Sequence, residues 1–334
     1  MQKVIRPAAC LMAVLFTTAV MADGAKVAKG PVKMFLLSGQ SNMTGRGTLG
    51  DLNKPAADQK ATLVRYIKDP NNVEKYKFLY SGPKKTPSGW TVRDDVFITL
   101  GDWPHDGSAY KKHGGLAPYY GSINNAGFGP ELGIGNALGD YYDEPVLLVK
   151  VSFGANSLAV NFRSPSSGGK LGDKYPLVVK AVRDAIEHLP GIVPGYDKKQ
   201  GYEIVGFLWN QGLNDMTDKY AGEYETNLAN LIKDLRKEFK TPDMKVVVAV
   251  TGNYGRKEDI SPAQRKVIEA QLAISRRLEF KATVATAETR DFYRPQGQYG
   301  GNKQWYHWHG NGESYWLIGE AMGREMVKLL GAKK

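Results

Sequence analysis

The sequence has little of the residue types that build disulfide frameworks and metal centres. It contains one cysteine in 334 residues, which excludes a disulfide framework and a zinc site made of cysteines. Only five histidines are present, so few positions can supply a histidine base or a metal ligand. Apolar side chains are not scarce. Hydrophobic residues make up 42% of the chain and aromatic residues 10%, which excludes an intrinsically disordered protein.

Long hydrophobic runs are also absent, except at the N-terminus. Lys3 and Arg6 precede a mostly apolar run over residues 8–20, and Val20-Met21-Ala22 places small or compact residues where a signal peptidase cleaves. The run is shorter than the roughly 20 residues that cross a bilayer. We therefore predict a cleaved signal peptide over residues 1–22 rather than a stable membrane anchor, and a secreted or periplasmic protein whose residues 23–334 form a single domain.

The chain is basic, with 45 Lys and Arg against 34 Asp and Glu. A basic chain is compatible with nucleic acid or an acidic polysaccharide as partner. The basic residues are scattered as pairs such as Lys84-Lys85 and Lys198-Lys199, however, and no zinc finger, basic helix or RNA-binding strand motif accompanies them. We expect a charged, soluble surface and no nucleic-acid partner.

Short apolar runs alternate with helical patterns along the chain. Strands are predicted over residues 32–37, 145–151, 203–208, 245–250 and 283–287. Helices are predicted over residues 130–142, 176–189, 220–239, 262–278 and 314–330. This alternation is typical of an α/β fold, with a five-stranded parallel sheet and helices on both faces.

Two long stretches interrupt the alternation. Residues 45–127 and 291–305 are rich in turn-forming and aromatic residues. Ligands of open α/β sheets bind outside the carboxyl ends of the strands, where loops leaving the first and fifth strands emerge. We predict that residues 45–127 are an insertion near the active site, the alternative being a structural flap on the same domain.

Ser41 lies where a nucleophile is expected. It follows the first strand in Ser38-Gly39-Gln40-Ser41-Asn42-Met43, at a strand end that leads into a possible helix start. A serine there exposes its hydroxyl, and nearby N–H groups can stabilise an oxyanion. Alone, the segment is equally compatible with an anion-binding loop or a helix cap.

A serine nucleophile needs a base, usually histidine. His307 and His309 flank Trp308 just before the last helix. Histidines separated by one residue can share a metal, but no adjacent carboxylate or third histidine completes a site. We predict a catalytic base here and no metal.

A third polar segment follows the third predicted strand. In Trp209-Asn210-Gln211-Gly212-Leu213-Asn214-Asp215, the amide side chains can donate to a developing oxyanion, and Asp215 can orient a neighbour or accept from backbone amides. Alone, it is compatible with an Asx-turn and a helix cap.

Together these segments resemble the SGNH-type carbohydrate esterases of the sialic-acid esterase (SASA) and acetylxylan esterase group. Gly39-Gln40-Ser41-Asn42-Met43 is similar to the first block of that group, and Trp209-x-Gln211-Gly212-x-x-Asp215 resembles its Trp-x-Gln-Gly-Glu-x-Asp block. Three further resemblances follow the family order: Phe128-Gly129-Pro130-Glu131, Gly154-Ala155-Asn156-Ser157-Leu158 and the segment from His307-Trp308 to Tyr315 and Gly319.

The resemblance implies a flavodoxin-like α/β/α sandwich of three layers and serine-dependent deacetylation of acetylated carbohydrates without a cofactor. Ser41 would be the nucleophile and His307 the base, with His309 as the alternative. The oxyanion donors would be Ser41, Gly129 and Gln211. The resemblance also implies contacts to substrate from Gln40, Asn42, Asn210, Asp215 and Trp308.

The chain departs from the family pattern at the orienting acid. The family places an Asp three residues before its histidine, where this chain has Gln304 before His307 and Tyr306 before His309. Asp291, after the fifth predicted strand, is our candidate for that role, and a backbone carbonyl is the alternative. Leu213 also replaces the usual Glu of the Trp-x-Gln-Gly-Glu-x-Asp block.

We expect a secreted esterase that removes O-acetyl groups from plant or algal polysaccharide or its oligosaccharides. The alternatives are a sialate or small-ester esterase and a carbohydrate-binding protein without turnover. In the latter, Trp90, Trp103, Trp305 and Trp308 would stack on sugar rings.

Overall fold

A mostly parallel β-sheet organises the part of the chain that the computed structural model describes, residues 30–82, 89–101, 112–121 and 127–331. The predicted signal peptide and Trp103 lie outside these residues. The strands are β1 (Val32–Gly39), β2 (Gly47–Thr48), β3 (Val96–Leu100), β4 (Lys112–Gly115), β5 (Gly127–Phe128), β6 (Val146–Ser152), β7 (Tyr202–Asn210), β8 (Lys245–Ala249) and β9 (Val284–Ala287). The helices are α1 (Ser41–Thr44), α2 (Leu63–Ile67), α3 (Val73–Tyr76), α4 (Phe78–Ser81), α5 (Glu131–Tyr141), α6 (Tyr175–Glu187), α7 (Leu189–Ile192), α8 (Tyr224–Glu238), α9 (Pro262–Ala273), α10 (Gln296–Tyr299) and α11 (Gly312–Leu330).

The main sheet has seven strands in the order β4-β3-β6-β1-β7-β8-β9, and β2 pairs with β5 in a small separate sheet. β4 pairs antiparallel with β3, while the other neighbours in the main sheet are parallel. The α/β class and all five predicted strands are confirmed, but the predicted number of five strands was wrong. The two additional strands come from the stretch at 45–127, in which β3 extends the sheet beside β6 and β4 forms its edge.

Apolar side chains cover both faces of the central strand β1, because successive side chains of a strand point to opposite faces. Val32, Met34 and Leu36 join one buried cluster that includes residues of α6, α8 and α9. Phe35 and Leu37 join a second cluster with residues of α5 and α11. Helices thus pack on both faces, and β1 is a fixed support for the residues that follow it.

The turn after β1 requires a glycine. Gly39 has φ of 149°, and a Cβ there would lie 2.1 Å from the carbonyl oxygen of Asn210 on β7. This close approach brings the ends of β1 and β7 together at the carboxyl edge of the sheet, where Ser41 begins α1.

Across the described ranges, no helix is both long and apolar enough to span a membrane.

Candidate active site

Ser41 and His307 meet at the carboxyl edge of the sheet. The Ser41 Oγ lies 2.9 Å from the His307 Nε2, although the two residues are 266 positions apart. Ser41 is the first residue of α1, and the first N–H groups of a helix have no partner within it. The pair therefore has the geometry of a nucleophile and its general base, with a backbone donor on the nucleophile itself.

The environment of His307 keeps its ring neutral. The side chain is buried, and this burial, together with the positive charge of Arg46, lowers the pKa of His307 to about 4. At neutral pH the ring is therefore unprotonated at one nitrogen and can accept a proton.

The second ring nitrogen of His307 contacts an amide. Its Nδ1 lies 3.2 Å from the Oε1 of Gln304, three residues earlier in the chain. The amide oxygen can only accept, so this contact assigns the proton to Nδ1 and leaves Nε2 free to accept from Ser41. Gln304 thus occupies the place at which a triad carries its carboxylate.

Asp291, the orienting acid expected from the sequence, is not the residue at His307. Its two carboxylate oxygens accept from the Nε and Nη2 of Arg256, in an exposed bidentate ion pair. The guanidinium fork matches a carboxylate in this geometry, so Asp291 is directed toward Arg256. The residue that contacts the Nδ1 of His307 is therefore Gln304, and not Asp291 as expected from the sequence.

The backbone around His307 reverses direction in a short left-handed segment. Trp308 and His309 have φ of 53° and 55°, values that non-glycine residues rarely adopt. The reversal places Trp308 in the core, 3% exposed, and not on the surface that substrate contact requires. It also turns His309 away, with Nδ1 2.9 Å from the Asn302 carbonyl oxygen and Nε2 3.3 Å from the Tyr293 hydroxyl. Of the two candidate bases, His307 is the one beside Ser41.

A backbone carbonyl next to His307 is held by two side chains. The Tyr306 oxygen accepts from the Nδ2 of Asn42 at 3.1 Å and from the Nδ2 of Asn253 at 2.9 Å. The Asn42 Oδ1 in turn accepts from the Tyr315 hydroxyl at 2.9 Å. Asn42, expected to bind substrate, therefore uses both ends of its amide to position the histidine loop.

Gln40 also has an internal role. Its Nε2 donates to the Oδ1 of Asn214 at 3.1 Å, and its Oε1 accepts from the N–H of Gly212 at 3.2 Å. It thereby fixes the loop after β7 against the end of β1, and its buried amide is not directed at a substrate.

Asp215 is completely buried and joins two loops. It accepts from the backbone N–H groups of Leu158 and Ala159, each at 2.8 Å, and from the Nε2 of Gln211 at 2.6 Å. Burial raises the pKa of Asp215 to about 6, against the effect of these three donors. Asp215 therefore stabilises the two loops next to the site and has no exposed surface that a substrate could contact.

Two of the three oxyanion donors expected from the sequence, those of Gln211 and Gly129, form hydrogen bonds within the protein instead. The Gln211 Nε2 uses both hydrogens, on the Asn156 carbonyl oxygen at 3.1 Å and on Asp215. The N–H of Gly129 donates to the Oε1 of Glu131 at 2.7 Å. By contrast, the Nδ2 of Asn210 is buried and has no hydrogen-bond partner within the described part of the chain. Ser41 and Asn210 thus retain donors at this edge of the sheet.

The structure adds a buried ion pair that the sequence analysis missed. The Lys150 Nζ lies 2.7 Å from the Oε2 of Glu131, and the two side chains are 2% and 0% exposed. Lys150 also donates to the carbonyl oxygens of Thr44 at 2.7 Å and Tyr120 at 2.8 Å, so it fixes the end of α1. Burial lowers the pKa of Lys150, and Glu131 opposes that effect. The sequence does contain a signal for this ion pair, because Lys150 is a charged residue within the largely apolar strand β6.

Known proteins resemble this chain over most of its length. The probable carbohydrate esterase At4g34215 of Arabidopsis thaliana is 25% identical over 252 residues, covering 73% of this chain and 76% of its own. The solved structure of the Arabidopsis AT4G34215 protein has a TM-score of 0.54 and 19% identity, covering 89% of this chain and 98% of its own. A carbohydrate acetylesterase from Xanthomonas citri has a TM-score of 0.49 at 13% identity, covering 88% of this chain and 56% of its own.

The family comparison covers more than two thirds of the sequence. Residues 94–328 match the family described as carbohydrate esterase, sialic acid-specific acetylesterase, a range that contains His307 and begins after the Ser41 segment. The resemblance seen in the sequence motifs is therefore confirmed. The chain belongs to this family of carbohydrate esterases, whose substrates are acetylated carbohydrates.

Proposed function

We propose that this protein is a serine esterase that removes O-acetyl groups from a polysaccharide or its oligosaccharides, as acetylxylan esterases do. The observation that carries the proposal is the 2.9 Å contact between the Ser41 Oγ and the His307 Nε2. The lowered pKa of His307 supports it, because a neutral ring can accept the serine proton.

The reaction proceeds through an acetyl-serine. The Ser41 Oγ attacks the acetyl carbonyl carbon while its proton passes to the Nε2 of His307. The tetrahedral intermediate then collapses, the bond to the sugar oxygen breaks, and His307 returns the proton to that oxygen. Water attacks the acetyl-serine in the second half, with His307 again accepting and returning a proton, and acetate leaves.

We assign oxyanion stabilisation to the N–H of Ser41 and the Nδ2 of Asn210. The N–H of Ser41 begins α1, and the buried Nδ2 of Asn210 has no hydrogen-bond partner among the described residues, whereas the donors of Gly129 and Gln211 are used internally. Removing one such donor typically lowers kcat by about 100- to 1,000-fold. We expect a loss of that size in Asn210→Ala, with KM changed little, and an unchanged kcat would exclude this assignment.

The experiment that tests the function measures acetate release from 4-nitrophenyl acetate, acetylated xylan and O-acetylated sialic acid. We expect release from the simple ester and from xylan, and its loss in Ser41→Ala. Faster release from the sialic acid would make the protein a sialate esterase. A folded protein that binds xylan and releases acetate from none of the three would be a carbohydrate-binding protein without turnover.

We also propose that the protein is exported. Lys3, Arg6 and the apolar residues 8–20 support this, although they lie outside the described residues. N-terminal sequencing of protein recovered outside the cytoplasm should begin at Asp23. Protein that keeps Met1 and remains in the cytoplasm would exclude export.

A further inference from the structure

Three aromatic side chains stand in a row beside His307. The ring centres of Tyr254 and Trp305 lie 5.2 Å apart with 38° between their planes, and Trp305 contacts Tyr306 edge-on at 5.6 Å. The Tyr306 ring lies 4.5 Å from the ring of His307. Tyr254, Trp305 and Tyr306, here called the aromatic shelf, belong to the loops after β8 and β9, at the carboxyl edge of the sheet.

Two members of the aromatic shelf are exposed, and the third, Tyr254, is partly buried. Trp305 is 42% and Tyr306 38% exposed, whereas Trp90, Trp209, Trp308 and Trp316 are buried. The other large apolar side chains exposed within the described ranges lie outside the two loops that carry the shelf. Exposed aromatic surface beside a catalytic pair is typical of a binding surface, since aromatic rings contribute large apolar contact areas.

The Trp305 ring does not contact the base. His307 is positioned through the carbonyl oxygen of Tyr306, which accepts from Asn42 and Asn253, and through the side chain of Gln304. These contacts involve the backbone of residue 306 and no atom of the Trp305 ring. The indole packs against Tyr254 and Tyr306 and leaves 42% of the Trp305 residue exposed to a ligand.

We propose that the aromatic shelf stacks on a pyranose ring of the acetylated carbohydrate and so presents the acetyl group to Ser41. This inference rests on the proposed function. A pyranose has an apolar face of C–H groups and a polar rim of hydroxyl groups. Its face can cover the exposed indole while its rim remains hydrated, which is the combination that an exposed aromatic platform binds.

The test compares two esters that differ in the presence of a sugar ring. Trp305→Ala and Tyr254→Ala are assayed on acetylated xylo-oligosaccharides and on ethyl acetate, which has no ring to stack. We expect KM for the oligosaccharides to rise about tenfold in Trp305→Ala, because the covered apolar area is lost. The kcat/KM for ethyl acetate should stay within about twofold, and Trp305→Phe should recover most of the loss.

Tyr202→Ala is the matched control. Tyr202 is also 42% exposed but begins β7, so it lies at the opposite end of that strand from the active site. Its substitution should change neither activity. Unchanged KM for the oligosaccharides in Trp305→Ala overturns the proposal. Equal losses on both esters overturn it as well, because they would show that Trp305 supports the catalytic residues.

A binding measurement separates this proposal from the proposed function. Calorimetric titration of xylotetraose into the wild-type protein and Trp305→Ala requires no turnover. Binding that weakens about tenfold in the variant supports the shelf even if neither ester is hydrolysed, in which case only the esterase proposal fails. No binding by the wild type, or equal binding by both, overturns the shelf.

Discussion

Replacing Gln304 by glutamate should convert a neutral orienting group into a charged one. The Gln304 Oε1 lies 3.2 Å from the His307 Nδ1, so Gln304→Glu places a carboxylate oxygen at the same position with almost no change in size. A negative charge there favours the protonated ring. The pKa of His307, which burial and Arg46 lower to about 4, should therefore rise.

The magnitude follows from Coulomb's law. Two unit charges about 4 Å apart attract by about 4 kcal/mol at an effective dielectric constant near 20. Residue 304 is only half-buried, and solvent screening reduces this to about 2 kcal/mol. That energy corresponds to about 1.5 pKa units. Because the same attraction stabilises the imidazolium formed in the transition state, kcat should increase by up to about 30-fold at pH 8.

The assay is the pH dependence of kcat/KM on 4-nitrophenyl acetate. In the wild type the acidic limb should fall near pH 4, since activity is lost as His307 becomes protonated. In Gln304→Glu this limb should move to higher pH by about 1.5 units. Asp291→Asn is the control, because its carboxylate binds Arg256 and its removal should leave the limb in place. A folded Gln304→Glu variant with an unmoved limb would refute the reasoning.

Three further predictions concern the surroundings of the pair. His309→Asn should keep kcat within about tenfold, since the His309 ring contacts Asn302 and Tyr293 whereas the Ser41 hydroxyl contacts His307, and a loss of about 10,000-fold would make His309 the base. Arg46→Gln should raise the pKa of His307, because the positive charge of Arg46 lowers that pKa. The acidic limb of kcat/KM should therefore move to higher pH, and a move to lower pH would contradict the prediction. Lys150→Met should lower the free energy of unfolding by about 3–5 kcal/mol in urea titrations, because it leaves the Glu131 carboxylate buried without its cation. The double variant with Glu131→Gln should recover part of the lost stability.

The sequence predicted those strands whose apolar residues form continuous runs. β1 and β6 are buried on both faces, so most of their positions are apolar and carry the signal. β3 and β4 were missed because their signal is weak. β3 is a short apolar run within a turn-rich stretch, and β4 reads Lys-His-Gly-Gly at the edge of the sheet, where pairing depends on distant residues and not on local pattern.

The candidate site, like the sheet, was predicted only where a local sequence pattern carries the information. Ser41 and His307 were identified from residue type and position in the family pattern, and the structure brings them together. Their partners depend on side-chain directions that no local pattern encodes. The left-handed segment at Trp308 and His309 decides which histidine faces Ser41, and Glu131 decides where the N–H of Gly129 points.

The carbonyl group of Tyr306 links two segments that lie far apart in the sequence. One of its donors, Asn42, follows Ser41 in the chain, and Tyr306 precedes His307. A single contact across 264 positions thus couples the two reacting groups mechanically. Because residue 306 belongs to the last tenth of the sequence, the proposed catalytic pair cannot assemble until that segment has been synthesised. Hydrolysis would begin only when the C-terminal segment docks, so ester cleavage reports on completion of folding itself.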